Sequence, residues 1–403
     1  MVKKILLITT GQPSTNPRIV KEADALHKAG YDVTVLYCYF IAWALQTDKE
    51  LLKQVKWQYQ IVGGSPKVNI IMYFFTRVKF KIATILNKYI GNKFLLAEHA
   101  QCRAYDELLS KAKKIKADWY IGHNLGALSI AVKAAIFNEA KAGFDFEDFH
   151  QGEYFPDQVS SISRIKFLEN KYLHFLNYIS AASDLISKFV IQQHPYFTGK
   201  VIALLNCFPK SQQPVFIEKH TETQLQLCWF SQTIGPNRGL ELVIEALNLL
   251  CDNSIHLTLV GRLDSVFKNY IHLNAPKLLP NIHFAGIIQP ERLPIFLAGF
   301  DVGLATELNT PSNRDYCLTN KIFTYLLAGN AIIMSDTSMQ QIFNNQYNIG
   351  WVYSHNEVTE LAKTILRCND RYELMKQRKK NYNLANTILN WEAESAKFLE
   401  ILA

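Results

Sequence analysis

The sequence alternates short apolar runs of strand length with longer segments of helical periodicity. Lys4–Thr9 is an apolar run, Asn16 is a typical N-cap before Pro17, and Gly30 ends the helical spacing that follows. Asp32–Tyr37 is the next apolar run. A strand, a helix and a strand in such close succession predict a parallel sheet with a right-handed crossover.

The alternation restarts after a segment of different composition. Residues 206–214 contain two prolines and polar residues without periodicity, which is typical of a linker. Behind it we expect strands at Leu225–Phe230, Ile255–Val260, Asn281–Phe284, Asp301–Ala305, Ala331–Ser335 and Gly350–Tyr353. The pattern predicts an α/β fold with two doubly wound Rossmann-like domains, at residues 1–207 and 215–385, facing across a cleft.

Residues 40–100 follow this pattern less clearly. Ile61, Val62, Val68 and Ile70–Phe75 are apolar enough to form strands, whereas Arg77–Leu96 has helical spacing with lysines between its apolar residues.

Composition and missing motifs exclude several classes of protein. No apolar run approaches the roughly 20 residues of a membrane span, and the seven cysteines are scattered without a C-x-x-C pair. Reduced thiols fit a cytoplasmic protein. The chain also lacks G-x-G-x-x-G, the P-loop motif, H-E-x-x-H and G-x-S-x-G, which argues against the common dinucleotide, ATPase, zinc peptidase and esterase sites.

The net charge of +8 is concentrated in one window. Residues 51–100 contain eight lysines and arginines and one acid, interleaved with aromatic side chains. We interpret this window as a surface for an anionic membrane, with a solvated cationic helix as the alternative. Nucleic acid is the weakest choice of partner, because the aromatic spacing is amphipathic and unlike a stacking platform.

Two loops that follow first-domain strands carry candidate site residues. Gly11 lies in the loop before the helix start at Asn16 and Arg18, where free N–H groups favour anions or hydroxyl-rich ligands. His123 and Asn124 follow the expected strand at residues 117–122. An ordinary turn and a structural histidine are the respective alternatives.

A short acidic run at residues 145–148 has donors suitable for a divalent cation. A solvated turn or a helix N-terminus is the simpler interpretation, and we expect no metal site.

Two second-domain loops place cations near helix starts, which helix dipoles disfavour unless an anion binds there. Gly235 and Arg238 follow the first strand of this domain, and a salt bridge from Arg238 to Glu241 is the alternative. Thr319, Asn320 and Lys321 begin a later helix, with a solvated surface as the alternative.

Together these segments resemble the glycosyltransferases with two Rossmann domains (GT-B), specifically the family-four-like members of glycosyl transferases group 1. The resemblance spans nearly the whole chain in order and spacing. It is carried by Asn16-Pro17-Arg18, Asp118 with His123-Asn124, Ile234-Gly235 with Arg238-Gly239, and Asn320-Lys321-Ile322-Phe323 with Tyr325 and Ala328-Gly329.

The resemblance implies a UDP- or GDP-sugar donor on the C-terminal domain and a glycan or lipid-linked acceptor on the N-terminal one. Arg238, Lys321, Gly235, Thr319 and Asn320 would hold the donor diphosphate. His123 would be the catalytic residue at the donor sugar, and Gly11, Asn16, Arg18 and Asn124 would form a donor or acceptor loop.

The family also implies retention of anomeric configuration, no metal or cofactor, and a C-terminal helix at residues 386–403 that packs back on the first domain. The expected role is synthesis of cell-surface polysaccharide or glycolipid, in the cytoplasm or at the inner face of the membrane.

One departure from the family pattern is clear. Many relatives have two acids spaced E-x7-E, and the matching positions here are Tyr316 and Thr324. Glu307, Arg314 and Tyr316 are candidate contacts to the ribose or sugar, and Asp315 is a further acid nearby. A non-catalytic partner subunit and a sugar-nucleotide 2-epimerase therefore stay open as alternatives.

Overall fold

The computed structural model describes residues 2–218 and 224–403, which form two compact units. The first unit comprises Met1–Leu205 together with Ser395–Ala403, and the second comprises Asn206–Glu394.

The first unit is built on one parallel sheet of seven strands. They are β1 (Lys4–Thr9), β2 (Asp32–Cys38), β3 (Gln58–Val62), β4 (Trp119–His123), β5 (Lys141–Phe146), β6 (Tyr178–Ala181) and β7 (Lys200–Ala203). The order across the sheet is β3-β2-β1-β4-β5-β6-β7. The order reverses between β1 and β4, which is where ligands bind in sheets of this kind.

Helices connect these strands. They are α1 (Pro17–Lys28), α2 (Ala44–Leu51), α3 (Ile70–Ile90), α4 (Leu96–Gln101), α5 (Tyr105–Lys114), α6 (Leu125–Phe137), α7 (Val159–Tyr172) and α8 (Asp184–Gln193), with 3₁₀ turns at Pro13–Thr15, His150–Gly152 and Leu173–Phe175. The central strands are buried because helices cover both faces of the sheet, which explains the continuous apolar run of β1.

The second unit contains a parallel sheet of six strands. They are β8 (Leu225–Ile234), β9 (Ile255–Leu263), β10 (Ile282–Gly286), β11 (Val302–Ala305), β12 (Ala331–Ser335) and β13 (Gly350–Tyr353). The order is β10-β9-β8-β11-β12-β13, so the reversal lies between β8 and β11.

The helices of the second unit follow the same alternation. They are α9 (Leu240–Leu250), α10 (Ser265–Asn274), α11 (Leu293–Leu297), α12 (Asn313–Tyr316), α13 (Asn320–Ala328), α14 (Ser338–Tyr347), α15 (Val358–Arg367) and α16 (Arg371–Thr387), with 3₁₀ turns at Lys210–Gln212 and Pro276–Asn281. Helix α17 (Trp391–Leu402) ends in the first unit. Across the described ranges, no helix is long and apolar enough to span a bilayer.

The predicted α/β class with two doubly wound units is confirmed, and all six strands expected in the second half form. The interpretation of Ile70–Phe75 as a strand is wrong, because these residues form the first turns of α3. The Asn69 side chain accepts a hydrogen bond from the Met72 N–H at 3.3 Å and caps that helix. The apolar run therefore winds around the first turns of a helix, with Tyr73 buried and Ile71, Phe74 and Phe75 exposed.

Tyr325 fixes α13 against the strands at the reversal point of the second sheet. Its buried hydroxyl lies 3.3 Å from the Cys228 carbonyl of β8 and 3.2 Å from the Leu304 carbonyl of β11. The ring lies over Gly303, where an added Cβ would be 2.3 Å from ring carbons. The missing side chain at Gly303 therefore sets how closely α13, which carries Lys321, approaches the sheet.

Late segments of the chain complete both units. On α16, Nε of the buried Arg378 donates to the Gly329 carbonyl at 3.2 Å, and the Asn381 amide lies 2.8 Å from the carbonyls of Asn330 and Ile349. In the first unit, the Lys3 ammonium donates to the Leu402 carbonyl at 3.0 Å.

We expect Gly303→Ala to destabilise the protein by about 1–3 kcal/mol, because the new methyl group overlaps the Tyr325 ring. Gly299→Ala in the same unit is a matched control, since its Cβ would lie 3.4 Å from the nearest atom, and it should change stability by less than about 0.5 kcal/mol. Urea unfolding measures both changes. Equal midpoints for the two variants would contradict this packing argument.

Candidate functional site

In the second unit, the loops after β8 and β11 meet at the reversal of strand order. Gly239 is the N-cap of α9 with a φ of +74°, and an added Cβ would lie 2.3 Å from the Thr306 carbonyl oxygen. The Thr306 hydroxyl donates to the Arg238 carbonyl at 3.1 Å. Glycine at position 239 thus allows the turn that carries Gly235 and Arg238 to pack against the end of β11.

Arg238 is exposed at this turn, and its Nη1 donates to the Ser231 hydroxyl at 3.1 Å. The alternative of a salt bridge to Glu241 is not supported, because that carboxylate accepts from the Asn237 N–H at 2.7 Å. Within the described part of the chain, Arg238 has no carboxylate at ion-pair distance. Its charge is therefore available to an anion from solution.

Lys321 lies in the first turn of α13, directly across from the end of β11. Its Nζ is 2.6 Å from Glu307 Oε1 and 5.2 Å from the centre of the Trp229 ring. Burial tends to raise the pKa of the Glu307 carboxyl, but the charge and hydrogen bond of Lys321, with Arg314, hold it below its usual value. Glu307 therefore remains ionised and holds the ammonium at this edge.

Thr319 and Asn320 begin α13 as expected. Thr319 occupies the N-cap with extended backbone, but its side chain makes no capping bond. The side-chain oxygen of Asn320 accepts a hydrogen bond from the side-chain amide of Asn206 at 2.8 Å. The helix N-terminus is thus formed mainly by backbone groups, which is suitable for an anion.

Arg314, on α12, reaches the same turn, since its Nη1 donates to the Asn237 carbonyl at 2.9 Å. Tyr316 ends α12 and is partly buried. Asp315 is not positioned for ribose, because its two oxygens accept from the backbone N–H and the hydroxyl of Ser338, each at 2.7 Å. Thr324 is buried and donates to the Asn320 carbonyl at 2.7 Å.

In the first unit, the ends of β1 and β4 are joined by polar side chains. The Thr9 hydroxyl donates to Asn124 Oδ1 at 2.6 Å and accepts from the Gly11 N–H at 3.2 Å. Asn124 has a φ of +67° directly before α6. Gly11 and Asn124 therefore lie together at the carboxyl-end edge of the sheet, where ligands bind in folds of this kind.

Two residues predicted in this loop lie beneath it. Asn16 caps α1 by accepting from the Ile19 N–H at 3.1 Å. Arg18 is only 2% exposed, and its guanidinium donates to both Asp145 oxygens, at 2.5 and 2.7 Å, and to the Leu204 carbonyl at 2.6 Å. The assignment of Arg18 to a ligand-contacting loop is therefore corrected to a buried supporting role, because all three contacts face the protein interior.

His123 is completely buried between carboxylates. Its Nε2 lies 3.2 Å from Glu22 Oε2, and its Nδ1 lies 3.2 Å from Glu147 Oε1 and 3.6 Å from Asp145 Oδ2. Burial alone would lower the pKa of His123, but Glu22, Glu147 and Asp145 raise it to about 10. The ring is an imidazolium at neutral pH, and in this structure it touches no space open to a substrate.

Asp145 is the acid that balances Arg18. Burial tends to raise the pKa of its carboxyl, but the charges of Arg18 and His123 hold it below its usual value. Glu22, His123 and Asp145 are close enough to share a cation. Because Arg18 already occupies both oxygens of Asp145, we interpret the group as an internal ion-pair network.

Glu147 is a candidate site residue that the sequence reasoning missed. It follows the last residue of β5, its side chain is 17% exposed, and its Oε2 accepts from the Asn124 amide at 3.4 Å. Burial raises the pKa of its carboxyl, although His123 opposes this. The sequence signal for Glu147 was its position directly after a buried strand. Interpreting residues 145–148 as a solvated turn overlooked that signal.

The His123 network predicts a specific pH dependence. A pKa raised from 6.5 to about 10 by folding contributes stability that is complete below about pH 6.5 and is lost as the pH rises towards 10. We expect His123→Gln to cost about 3 kcal/mol near pH 6 and much less near pH 10. Urea unfolding across this range measures the difference, with the exposed His272→Gln as control. A difference that does not vary with pH would contradict the protonated network.

Residues 225–370 match the family model of glycosyl transferases group 1. No curated protein matches the sequence significantly.

Solved structures match over the whole chain. HepE of Anabaena in complex with UDP has a TM-score of 0.70 at 14% identity and covers 100% of this chain and 99% of its own. TarM of S. aureus has a TM-score of 0.69 at 12% identity, and the match covers 100% of this chain and 99% of TarM. WaaB, a lipopolysaccharide outer core galactosyltransferase, has a TM-score of 0.63 at 11% identity, with 99% of each chain covered.

These similarities establish the fold, and the family match covers most of the second unit. The chain therefore has the GT-B fold, and residues 225–370 of its second unit match the glycosyl transferases group 1 domain.

Proposed function

We propose that the protein transfers a sugar from a nucleoside-diphosphate sugar to a hydroxyl acceptor, and that the second unit holds the diphosphate. The observation that carries this proposal is the convergence of Arg238, Arg314 and Lys321 at the adjoining ends of β8 and β11. Glu307 pairs with Lys321 at 2.6 Å, whereas the ion pairs of the described residues include neither Arg238 nor Arg314. The excess positive charge suits a diphosphate, which carries more than one negative charge.

The proposed chemistry follows from charge. As the bond between the sugar and the diphosphate breaks, negative charge develops on the departing phosphate oxygen. Fixed cations and helix N–H groups stabilise that charge without rearrangement. Arg238 and the starts of α9 and α13 would supply this stabilisation. Glu307 would keep Lys321 at the edge before the donor binds.

We propose UDP as the nucleotide, with GDP as the alternative. HepE has been solved with UDP and with UDP-glucose, and a TarM variant has been solved with fondaparinux, α-GlcNAc-glycerol and UDP. A glycan or lipid-linked acceptor on the first unit fits the hydrogen-bonding groups at its strand ends. The role of WaaB supports a function in cell-surface polysaccharide or glycolipid synthesis.

The roles that the sequence predicted for first-unit residues change, because His123 and Arg18 are buried. We propose that Asn124 and the Gly11 loop contact a substrate, while the buried His123 positions Glu147 and Asn124 through the ion-pair network. The absence of acids at Tyr316 and Thr324 leaves the ribose without the carboxylate that many relatives place there. A non-catalytic subunit is therefore the outcome that the first experiment must exclude.

We expect UDP to raise the melting temperature of the protein, because a ligand that binds only the folded state stabilises it by about 2.7 kcal/mol at 100 times its Kd. Arg238→Ala and Lys321→Ala should each reduce that shift strongly. Thermal shift with UDP, GDP, ADP and CMP, without and with magnesium, measures the effect and identifies the base.

Matched controls are Arg367→Ala and Lys363→Ala, exposed residues of α15 in the same unit. Each variant is compared with its own unliganded melting temperature, because Lys321→Ala also leaves Glu307 buried without its partner. No shift with any nucleotide at millimolar concentration would favour the non-catalytic subunit.

We also propose that α3 docks on an anionic membrane, at the inner face of the cytoplasmic membrane. The apolar side chains exposed on this one helix are those of Ile70, Ile71, Phe74, Phe75, Val78, Ile82, Ile85, Leu86, Tyr89 and Ile90. Lys81 and Lys88 are exposed among them, and Lys67 and Lys93 lie just outside the helix ends. Exposed apolar residues combined with lysines are typical of helices that lie in a membrane interface.

Arg103 ties this helix to the sheet. Its guanidinium donates to the Gly63 carbonyl at 2.7 Å and to the Thr76 hydroxyl, and it lies 5.2 Å from the centre of the Tyr73 ring. The exposed apolar side of α3 therefore belongs to a rigid part of the first unit. Such a surface supports docking better than a mobile tail would.

We expect the protein to float with vesicles of phosphatidylglycerol and phosphatidylcholine at low salt, and less with phosphatidylcholine alone. Lys81→Glu/Lys88→Glu should weaken binding at least about tenfold, since each lysine near an anionic surface contributes about 1 kcal/mol. Lys114→Glu/Lys116→Glu, which makes the same charge change near the end of α5, is the control. Equal flotation of the two double variants would refute docking through α3.

A further inference from the structure

A continuous line of hydrogen bonds crosses the carboxyl ends of four adjacent strands in the first unit. The Cys38 N–H donates to the Gly11 carbonyl at 3.2 Å, and the Gly11 N–H donates to the Thr9 hydroxyl at 3.2 Å. Thr9 donates to Asn124 at 2.6 Å, and Asn124 donates to Glu147 at 3.4 Å. The line connects the ends of β2, β1, β4 and β5 into one surface.

The two ends of this line differ in chemistry. At the ends of β5 and β4 lie the carboxylate of Glu147 and the amide of Asn124, both partly exposed. Directly after β2, Phe40 is 68% exposed and Trp43 is 52% exposed, with Ile41 between them also exposed. A polar end and an apolar end thus belong to the same row of strand ends.

The apolar end is held rigidly. The fully buried Gln12 side chain accepts from the backbone N–H groups of Phe40 and Ile41, at 3.0 and 2.7 Å. Its amide donates to Asp48 at 2.6 Å, and Asp48 also accepts from the Ser14 N–H at 2.9 Å. The segment after β2 therefore presents its apolar side chains from a fixed backbone at the Gly11 loop, where burial of an apolar ligand would cost little ordering entropy.

The spacing of the strands sets the size of the ligand. Neighbouring strands lie about 4.8 Å apart, so β5 and β2 are separated by roughly 14 Å. This distance accommodates a sugar ring at the polar end followed by an apolar chain at the other. A purely hydrophilic glycan would leave Phe40, Ile41 and Trp43 without apolar contact.

We propose that the acceptor is an amphiphile, whose hydroxylated head group binds Glu147 and Asn124 and whose apolar chain lies on Phe40, Ile41 and Trp43. Glu147 accepts hydrogen bonds from head-group hydroxyls, and its contact with His123 fixes the carboxylate. The inference rests on the proposed function, because it takes the first unit as the acceptor-binding unit. It adds the class of acceptor and the two groups of residues that recognise it.

The experiment compares octyl and methyl glycosides with the same sugar head, used as monomers below the micelle concentration, for glucosyl, galactosyl and N-acetylglucosaminyl heads. Binding is titrated by thermal shift and by isothermal calorimetry, without nucleotide and with UDP. We expect at least one octyl glycoside to bind about tenfold more tightly than its methyl counterpart.

Substitutions test the apolar end and the polar end of the proposed site independently. Phe40→Ala/Trp43→Ala should abolish the octyl advantage and leave binding of the methyl glycoside unchanged. Glu147→Gln should weaken both ligands about tenfold, and its unliganded melting temperature reports whether the fold is intact. Tyr196→Ala, which removes an exposed aromatic ring elsewhere in the same unit, should change neither.

Equal or undetectable binding of all octyl and methyl pairs would overturn the proposal, as would an octyl advantage that survives Phe40→Ala/Trp43→Ala. Octyl binding abolished by changes in α3 instead would assign the chain to the membrane surface and would also overturn it. The UDP shift alone reports on the donor site, so a failure of the proposed function is distinguishable from a failure of this inference.

Discussion

The parallel arrangement of the strands within each sheet is the constraint on which the rest of the structure depends. When all strands run the same way, every loop that follows a strand emerges at one edge, and the reversal of strand order opens a gap there. Residues far apart in sequence, such as Arg238 and Lys321, reach the same edge only for this reason. Gly239 and Gly303 then set the close approaches, since a side chain at either position would push a turn or a helix away from the sheet.

The two units use charge differently at this edge. In the second unit, Arg238 is exposed and forms no ion pair with a carboxylate of the described residues, so its charge is available to a ligand from solution. In the first unit, Arg18 and His123 are fully enclosed by Glu22, Asp145 and Glu147. Desolvation makes such a network costly, and removing any one member leaves an uncompensated charge. The enclosed network holds Glu147 and Asn124 in place, whereas the exposed arginine is suited to binding.

Much of the second unit was predictable, because its buried strands are short apolar runs separated by turn residues, as at Ala331–Ser335. The positions of Arg238 and Lys321 followed from their loops. Helix α3 was harder, since its apolar residues are exposed on a helix and resemble a strand where they cluster at Ile70–Phe75. The burial of Arg18 and the role of Glu147 depend on contacts between distant residues, such as Arg18 with Asp145, which local sequence does not reveal.

The late segments of the chain have a consequence for synthesis. The carbonyls of Gly329, Asn330 and Ile349 find their partners on α16, and Ser395–Ala403 belongs to the unit whose strands are made first. During translation, β1 to β7 emerge from the ribosome long before these residues do. The first unit therefore waits, incomplete, while the whole second unit is translated, and its apolar surfaces remain open to chaperones for that interval.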